Sequence, residues 1–113
     1  MTKSTVATLK IRPSIFDLIR KGIKEYEIRD SSLERVDVIC YLDCETGAFL
    51  GSYSVDGVEC VNRAADQQTI ERSGVNVETF YDLFPPVSVG GPEVLWVAKL
   101  QSPVDINDAL GIG

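Results

Sequence analysis

A short segment in the first third of the chain concentrates side chains that can do chemistry. Residues 22 to 29 read Gly-Ile-Lys-Glu-Tyr-Glu-Ile-Arg, which brings together an amine, a carboxylate and a guanidinium as Lys24, Glu27 and Arg29. A lysine that is partly buried in a cleft has a lowered pKa and can act as a general base, or it can hold a phosphate by its charge. The structural alternative is a solvated lysine that follows the end of a helix. The charged residues around Lys24 favour the functional interpretation.

Glu27 and Arg29 lie two residues apart, so on a strand their side chains project from the same face. Tyr26 and Ile28 would then face the core, while Glu25 shares the face of the charged pair. Arg29 would keep the Glu27 carboxylate ionised, and that carboxylate would orient the neighbouring lysine or accept a hydrogen bond from the exocyclic amine of a base. A salt bridge that closes one side of a barrel is the structural alternative, and the two roles can coexist.

Composition limits the remaining chemistry. The chain contains no histidine, which excludes Ser-His-Asp and Cys-His nucleophile systems and imidazole-based zinc sites. No pair of cysteines has the two-residue spacing of a zinc or redox motif, so we expect buried free thiols at Cys40, Cys44 and Cys60. No metal or cofactor is implied, and any catalysis would depend on lysine, carboxylates, hydroxyls or backbone dipoles.

The charge is unevenly distributed along the chain. Residues 1 to 35 hold eight of the eleven Lys and Arg residues and five acids, while residues 36 to 113 hold three cations and twelve acids. The first part therefore carries +3 and the rest −9. The negative net charge of the whole protein opposes tight non-specific binding to polyphosphate. A local basic patch could still bind one or a few phosphates or a short single strand. The acidic part is an alternative docking face for a basic protein partner.

Length and hydropathy indicate one compact domain over residues 1 to 113, with 44% hydrophobic residues. No run approaches the roughly 18 to 20 apolar residues that a transmembrane helix requires. The first five residues, Met-Thr-Lys-Ser-Thr, lack the apolar run of a signal peptide. We therefore expect a cytoplasmic protein with no membrane partner.

Periodicity predicts a strand from Thr5 to Arg12 and then a helix that Pro13 opens and that ends near Gly22. A second strand is expected from Lys24 to Arg29. Val36 to Leu42 is apolar on both faces, as in a central strand. After a turn at residues 43 to 47, a long return strand is expected over residues 48 to 61. Asp56-Gly57 interrupts it with a bulge or tight bend, or alternatively divides it into a separate hairpin.

The last third of the chain predicts two short helices and a final strand. Asp66 to Ser73 forms the first helix, and Asn76 caps a second helix that ends before Pro85-Pro86. Glu93 to Gln101 alternates as a strand, whereas residues 104 to 113 are weakly patterned and are expected to form a frayed tail. The order of elements predicts an α+β fold, a small curved and mostly antiparallel β-barrel with flanking short helices.

These features resemble those of ASCH domains, whose fold is the PUA-like β-barrel. The resemblance begins in Leu9 to Asp30, and a curved hairpin, a helical insert and a final aromatic strand are similar too. The residues that carry it are Phe16 and Ile19 in the helix, then Gly22, Lys24, Glu27 and Arg29, with Cys44 to Gly47, Asp66 to Phe84 and Val94 to Val97 in the later features.

The resemblance implies RNA-related work, since ASCH domains are associated with binding of RNA or modified nucleosides and some are small hydrolases. One bacterial group removes the acetyl group from N4-acetylcytidine. It uses a lysine at the position of Lys24, a threonine where this chain has Glu27, and a glutamate in the helical insert, for which Glu71 is the nearest candidate. We expect a cleft that binds RNA, a nucleotide or a modified nucleoside through Arg12, Lys24, Glu27 and Arg29. Hydrolysis by Lys24 with Glu27 or Glu71 as partner, including ribonuclease activity, is the alternative.

The remaining candidate residues have simpler interpretations. Tyr26, Tyr81, Phe84 and Trp96 alternate with aliphatic residues and are expected in the core rather than as base-stacking platforms. The first helix of the insert also contains Thr69 and Ser73. Their hydroxyls could lie near the cleft, or the two residues could occupy ordinary surface positions.

Overall fold

The structure is a computed structural model that describes residues 4–112. Residues 1 to 3 and 113 lie outside the described residues. The expectation that the first five residues are not part of a signal peptide, and the last residue of the predicted tail, fall largely or wholly on them. In chain order the elements are β1 (Val6–Ile11), α1 (Pro13–Arg20), β2 (Tyr26–Arg29), β3 (Val38–Asp43), β4 (Phe49–Asn62), α2 (Asp66–Ser73), α3 (Val77–Leu83), β5 (Val94–Pro103) and α4 (Ile106–Leu110), with 3₁₀ turns at Arg63–Ala65 and Val87–Val89.

The five strands form one curled mixed sheet in the order β1-β3-β4-β5-β2. β1 pairs with β3 in parallel, and the other three neighbouring pairs are antiparallel. Within residues 4–112 no strand pairing joins the two edge strands, β1 and β2, so the sheet is a half-barrel with an open seam. The predicted α+β class and curved, mostly antiparallel sheet are confirmed.

Helix α1 begins and ends where its sequence signals predict. Pro13 occupies the start of the helix, and Gly22 follows its end with φ of +76°. Phe16 and Ile19 face inward and are buried. Phe16 packs on β4 at Gly51, where a Cβ atom would lie 2.9 Å from the Phe16 ring. A side chain at position 51 would therefore push α1 away from the sheet.

Two apolar clusters fill the interior on either side of β2. The first lies under α1 and includes Tyr41, and the second lies under α3 and includes Ile28 and Phe80. As predicted, Ile28 faces the core. Its neighbour Glu27 is also buried, at 4% exposure, on the side of Tyr41. β2 thus carries a carboxylate into the protein interior, which makes the partners of that carboxylate important for both stability and function.

The long strand β4 contains the predicted irregularity. Its register against β5 shifts between Val55 and Val58, at Asp56-Gly57, so the bulge is confirmed and the separate hairpin is not formed. The two predicted helices of the insert are present as α2 and α3. Asn76 caps α3 by accepting a hydrogen bond from the Thr79 backbone N–H at 2.8 Å.

The tail differs from the prediction of a frayed end. Asp105 accepts a hydrogen bond from the Asn107 backbone N–H at 2.8 Å and so caps α4, and Ala109 is buried. The Ser4 backbone N–H donates to the Ala109 carbonyl at 3.1 Å, which joins the tail to the start of the chain. Asp105 is an N-cap signal, but α4 is too short to show a clear helical pattern.

In the described part of the chain, no helix combines the length and apolar character needed to cross a membrane. The cysteines are free as predicted, but the prediction that all are buried is wrong. Cys40 is buried in β3, whereas Cys44 follows β3 in the turn and is exposed. Cys60 lies in the second half of β4, where it pairs with Trp96 of β5, and is exposed.

Candidate functional site

A cleft of about 330 Å³ lies along the seam between the two edge strands of the sheet. β1, the first turn of α1, β2 and the helical insert (residues 66–84) all contribute to its wall. Its polar and charged lining includes Lys10, Arg12, Lys24, Glu27, Arg29 and Asp30. The cleft thus brings together Arg12, Lys24, Glu27 and Arg29, the four residues that the sequence predicts as candidates for ligand binding.

Arg29 bridges the seam. Its Nε atom donates to Glu27 Oε2 at 2.8 Å, and its Nη2 atom donates to the Lys10 carbonyl on β1 at 2.9 Å. The predicted pairing of Glu27 with Arg29 is therefore present, and the same guanidinium links the two strands that share no backbone pairing. One side chain closes the barrel and also forms part of the cleft wall.

Tyr41 holds the other carboxylate oxygen of Glu27. Its hydroxyl donates to Glu27 Oε1 at 2.7 Å, and the side chain has 0% exposure. Burial and the adjacent Glu27 carboxylate raise the pKa of Tyr41 well above its ordinary value, so the hydroxyl stays protonated as a donor. Tyr41 is not among the candidate residues that the sequence predicts. Its position in a strand that is apolar on both faces could have indicated a buried polar contact, because a buried Tyr hydroxyl usually needs a hydrogen-bond partner.

Lys24 reaches the cleft from the residues that precede β2 and is only 7% exposed. Its Nζ atom donates to the Ser73 carbonyl at 2.6 Å. Ser73 is the last residue of α2, where backbone carbonyls lack helical partners and attract a cation. Lys24 is therefore a structural cap for α2 as well as a lining residue of the cleft.

Burial changes the acid–base character of Lys24. Desolvation lowers the pKa of its ammonium; the Glu27 carboxylate acts in the opposite direction, and the Arg29 charge lowers it further. An ammonium has three N–H donors, and one is directed at Ser73. The remaining donors are available to a ligand or a water molecule in the cleft.

The turn after α2 packs directly on the lysine. Gly74 has φ of +75°, and a Cβ atom there would lie 3.2 Å from the Cβ atom of Lys24. Glycine satisfies both demands, the left-handed backbone and the close contact. The junction between α2 and α3 therefore fixes the lysine stem.

Of the three other candidate residues, Glu71, Thr69 and Ser73, only Ser73 lines the cleft. Glu71 is exposed on α2 and does not line the cleft, so the structure does not bring it to Lys24. The Thr69 hydroxyl donates to the Ala65 carbonyl at 3.0 Å, and the Ser73 hydroxyl donates to the Ile70 carbonyl at 2.6 Å. Both hydroxyls are thus bound within α2 and its preceding turn.

Two further residues line the cleft in ways the sequence did not indicate. Phe84, expected in the core, is buried in the second cluster and also forms part of the apolar wall. Cys44 places an exposed thiol in the lining. The sequence could not predict that Phe84 and Cys44 lie beside Lys24, because residues 24, 44 and 84 are distant in the chain and meet only in the folded protein.

Three crystal structures are similar to this fold over most of its length. A serine-to-alanine variant of ASCH from Zymomonas mobilis has a TM-score of 0.70 and 14% identity, and the match covers 96% of this chain and 79% of that one. A tyrosine-to-phenylalanine variant also has a TM-score of 0.70, with 15% identity and coverage of 93% and 78%. ASCH from Zymomonas mobilis without a named substitution gives 0.67 and 15%, with coverage of 93% and 76%.

The chain has an ASCH-like fold. No family model matches its sequence, and neither does any curated protein. The identity to the ASCH structures is low, so the likeness concerns the fold. It agrees with the PUA-like architecture that the resemblance in sequence implies.

The cleft of this ASCH-like fold offers a defined set of interactions. Lys24 supplies donors, Glu27 supplies acceptor lone pairs beyond the two that Tyr41 and Arg29 use, and Ile11 and Ile15 contribute apolar contact area. Such an arrangement can bind a flat polar group by its edge and contact its face with apolar walls. With no imidazole in the chain, the buried amine of Lys24 is the strongest candidate base in the cleft.

Proposed function

We propose that this protein binds a nucleotide, a modified nucleoside or a short RNA in the seam cleft, with Lys24, Glu27 and Arg29 as its central polar residues. The observation that carries this proposal is the placement of a buried amine and a buried carboxylate in one open cleft. Burying two charged groups destabilises a protein unless their interactions offset the loss of hydration. A ligand that uses their remaining hydrogen-bonding capacity accounts for their position.

The size of the cleft supports a small ligand. Its volume of about 330 Å³ is near the lower end of the ~300 to 1,000 Å³ typical of ligand sites. One nucleoside unit suits this volume better than a long chain. For an RNA ligand, one nucleotide would enter the cleft while its neighbours lie on the surface, as RNA-binding domains commonly bind unstacked bases.

The charge of the lining supports a ligand with both amine and anionic groups. Four cations line the cleft against the two acids Glu27 and Asp30. The Glu27 carboxylate would accept a hydrogen bond from an exocyclic amine, and the Lys24 ammonium would donate to a ring nitrogen or carbonyl. A local excess of positive charge would attract the phosphate or the partial negative charge of the ligand.

Lys24→Met is the substitution that tests this proposal, because methionine keeps most of the apolar stem and removes the charge. Arg29→Ala is less suitable, since it would leave the buried Glu27 carboxylate without one of its two donors and lower stability. Lys21→Met provides the matched control at an exposed lysine of the same segment.

Isothermal titration calorimetry with nucleosides, N4-acetylcytidine, nucleoside monophosphates and short RNAs is the measurement. We expect at least one ligand to bind the wild type and Lys21→Met equally and Lys24→Met about ten-fold more weakly, the effect of one lost charge-assisted hydrogen bond. Absence of binding across the panel, or equal binding by Lys24→Met, would overturn the proposal.

The lowered pKa of Lys24 favours a second candidate function, hydrolysis. A neutral amine in the cleft could take a proton from water as that water attacks an amide carbonyl, which would release acetate and an amine from N4-acetylcytidine. The same base could deprotonate a ribose 2′-hydroxyl that attacks the adjacent phosphate in RNA. The P–O bond to the 5′-oxygen of the next nucleotide would then break, the lysine ammonium would return the proton to that oxygen, and a 2′,3′-cyclic phosphate would remain. Glu27 lines the cleft together with Lys24 and is the carboxylate that we propose as its partner, whereas Glu71 is not part of the lining.

Chromatography separates the two candidate functions. Incubation of N4-acetylcytidine or a short RNA with the wild type would yield product that Lys24→Met does not form and that Lys21→Met does form. Unchanged substrates after long incubation with concentrated protein would eliminate hydrolysis and leave the binding proposal intact.

A further inference from the structure

Two cations without a partner in residues 4–112 lie at the mouth of the cleft. Lys10 and Arg12 line the cleft and are exposed, and in residues 4–112 neither side chain has a hydrogen bond or an ion pair. Elsewhere in the fold, Arg20, Arg63 and Arg72 each pair with a carboxylate. Lys21, Arg35 and Lys99 also have no partner in residues 4–112, but they do not line the cleft. The mouth therefore holds positive charge that the protein itself does not compensate.

The backbone adds to this positive charge. Arg12 is the N-cap residue of α1, and no side chain caps the helix. The first turn also contains no acidic residue. The positive end of the helix dipole thus points toward the same mouth without a compensating carboxylate, and Ile15 of that turn lines the cleft.

The backbone that carries the two cations is tied to the inner residues of the cleft. Arg29 donates to the Lys10 carbonyl at 2.9 Å and to Glu27 at 2.8 Å, so one guanidinium spans from the mouth to the buried carboxylate. Lys10 and Arg12 lie two residues apart in extended backbone, which directs both side chains to the same side.

We propose that Lys10 and Arg12 form a phosphate subsite, so that the ligand is a nucleoside carrying one phosphate rather than a neutral nucleoside. This proposal rests on the function proposed above and specifies its ligand class. The base occupies the inner end beside Lys24 and Glu27, and the phosphate accepts hydrogen bonds from Lys10 and Arg12 at the mouth. A guanidinium and an ammonium together match the several acceptor oxygens of a phosphate.

Asp30 opposes this subsite and provides a second test. It lines the cleft next to Arg29, is exposed, and has no partner for its carboxylate in residues 4–112. Its negative charge would repel a phosphate. Asp30→Asn should therefore strengthen the binding of a phosphorylated ligand and leave a neutral nucleoside unaffected.

The experiment compares four nucleosides with their 5′- and 3′-monophosphates and with dinucleoside monophosphates, by titration calorimetry on the intact protein. The variants are Lys10→Ala/Arg12→Ala, Asp30→Asn and, as a control outside the cleft, Lys99→Ala. In the wild type we expect a monophosphate to bind at least about ten-fold more tightly than its nucleoside. The double variant should lose this preference, so that it binds the monophosphate and the nucleoside with similar affinity, and Lys99→Ala should retain the preference.

The outcomes are distinguishable. If the wild type prefers a phosphorylated ligand and the double variant loses that preference, the subsite is supported. A preference for the monoester identifies the ligand as a mononucleotide, and a preference for the diester identifies it as an RNA chain. If nucleosides bind but phosphates add nothing, or the preference persists in the double variant, the subsite is wrong and the proposed function stands. If no member of the panel binds, both fail. Equal thermal midpoints for wild type and double variant would show that both proteins are folded.

Discussion

Buried charge defines the cleft at the scale of single residues. Glu27 has two specific donors, Tyr41 and Arg29, and Lys24 has the Ser73 carbonyl. Each interaction lowers the cost of holding a charge away from water. The same interactions fix the direction of the groups that a ligand would meet.

Removal of the Tyr41 hydroxyl should destabilise the protein. Tyr41→Phe leaves the buried Glu27 carboxylate with Arg29 as its named donor, and loss of a hydrogen bond to a charged group costs about 1.5 to 3 kcal/mol. Tyr53→Phe is the matched control, because Tyr53 packs edge-to-face on Tyr41 and its hydroxyl has no hydrogen-bond partner in the described residues. Urea unfolding measures both, and an equal loss in the two variants would contradict the assigned hydrogen bond.

Stability should depend on pH through Lys24. Desolvation lowers the pKa of Lys24 from 10.5 in the folded state, despite the opposing effect of Glu27. Between the lowered pKa and 10.5 the unfolded chain binds a proton that the folded chain has lost, so stability rises with pH in that window. The unfolding free energy of the wild type should increase relative to that of Lys24→Met as pH rises toward 10.5.

The check is urea unfolding from neutral to alkaline pH, with Lys21→Met as the baseline for an exposed lysine. Subtracting the unfolding free energy of Lys24→Met from that of the wild type at each pH removes the contribution of the titratable groups that both proteins share. A difference between wild type and Lys24→Met that stays constant or decreases with pH would show that the ammonium is not disfavoured by burial.

At the scale of elements, the cleft depends on how the helical insert docks on β2. Signals local in the chain, such as Asn76 as a cap and Pro85-Pro86 as a stop, allow α2 and α3 to be predicted from sequence. Their docking could not be predicted, because Lys24 and Ser73 are 49 residues apart. Glu71 was a candidate through its place in the insert, and only the orientation of α2 shows that it is exposed.

Gly74→Ala should alter the cleft, because its new Cβ atom would lie 3.2 Å from the Lys24 Cβ atom. Gly47→Ala is a matched control with the same φ of +75° and no atom within 4 Å of the added Cβ. Both should lose about 1 to 2 kcal/mol of stability from left-handed backbone strain. Only Gly74→Ala should also weaken ligand binding several-fold in calorimetry. Equal binding by the two variants would mean that the junction does not position Lys24.

At the scale of the whole molecule, a basic site is set on an acidic body. The uneven charge and the α+β architecture were predictable from sequence, since composition and strand alternation are properties of the chain. The seam was not predictable, because it requires the order of strands in the sheet. Residues 36 to 113 carry −9, and docking of a basic partner on this part of the chain stays an alternative proposal; such binding would weaken as salt rises.

The acidic body predicts a weak dependence of affinity on RNA length. Beyond the nucleotides that reach the cleft, further phosphates would meet an acidic surface and release few counterions. Fluorescence anisotropy should therefore show similar affinities for an RNA that just fills the cleft and for a much longer one. A steady gain with length, together with a steep loss of binding as salt rises, would instead indicate an extended basic groove.

The most direct test of the central claim is where a ligand binds on the protein. Two-dimensional ¹⁵N NMR with each nucleoside 5′-monophosphate at millimolar concentration maps the affected amide groups. We predict shifts around the seam, at residues such as Ile11, Lys24 and Ser73. Shifts confined to the second cavity of about 240 Å³, beside Glu59 and Lys99, or no shifts with any nucleotide, would contradict the account.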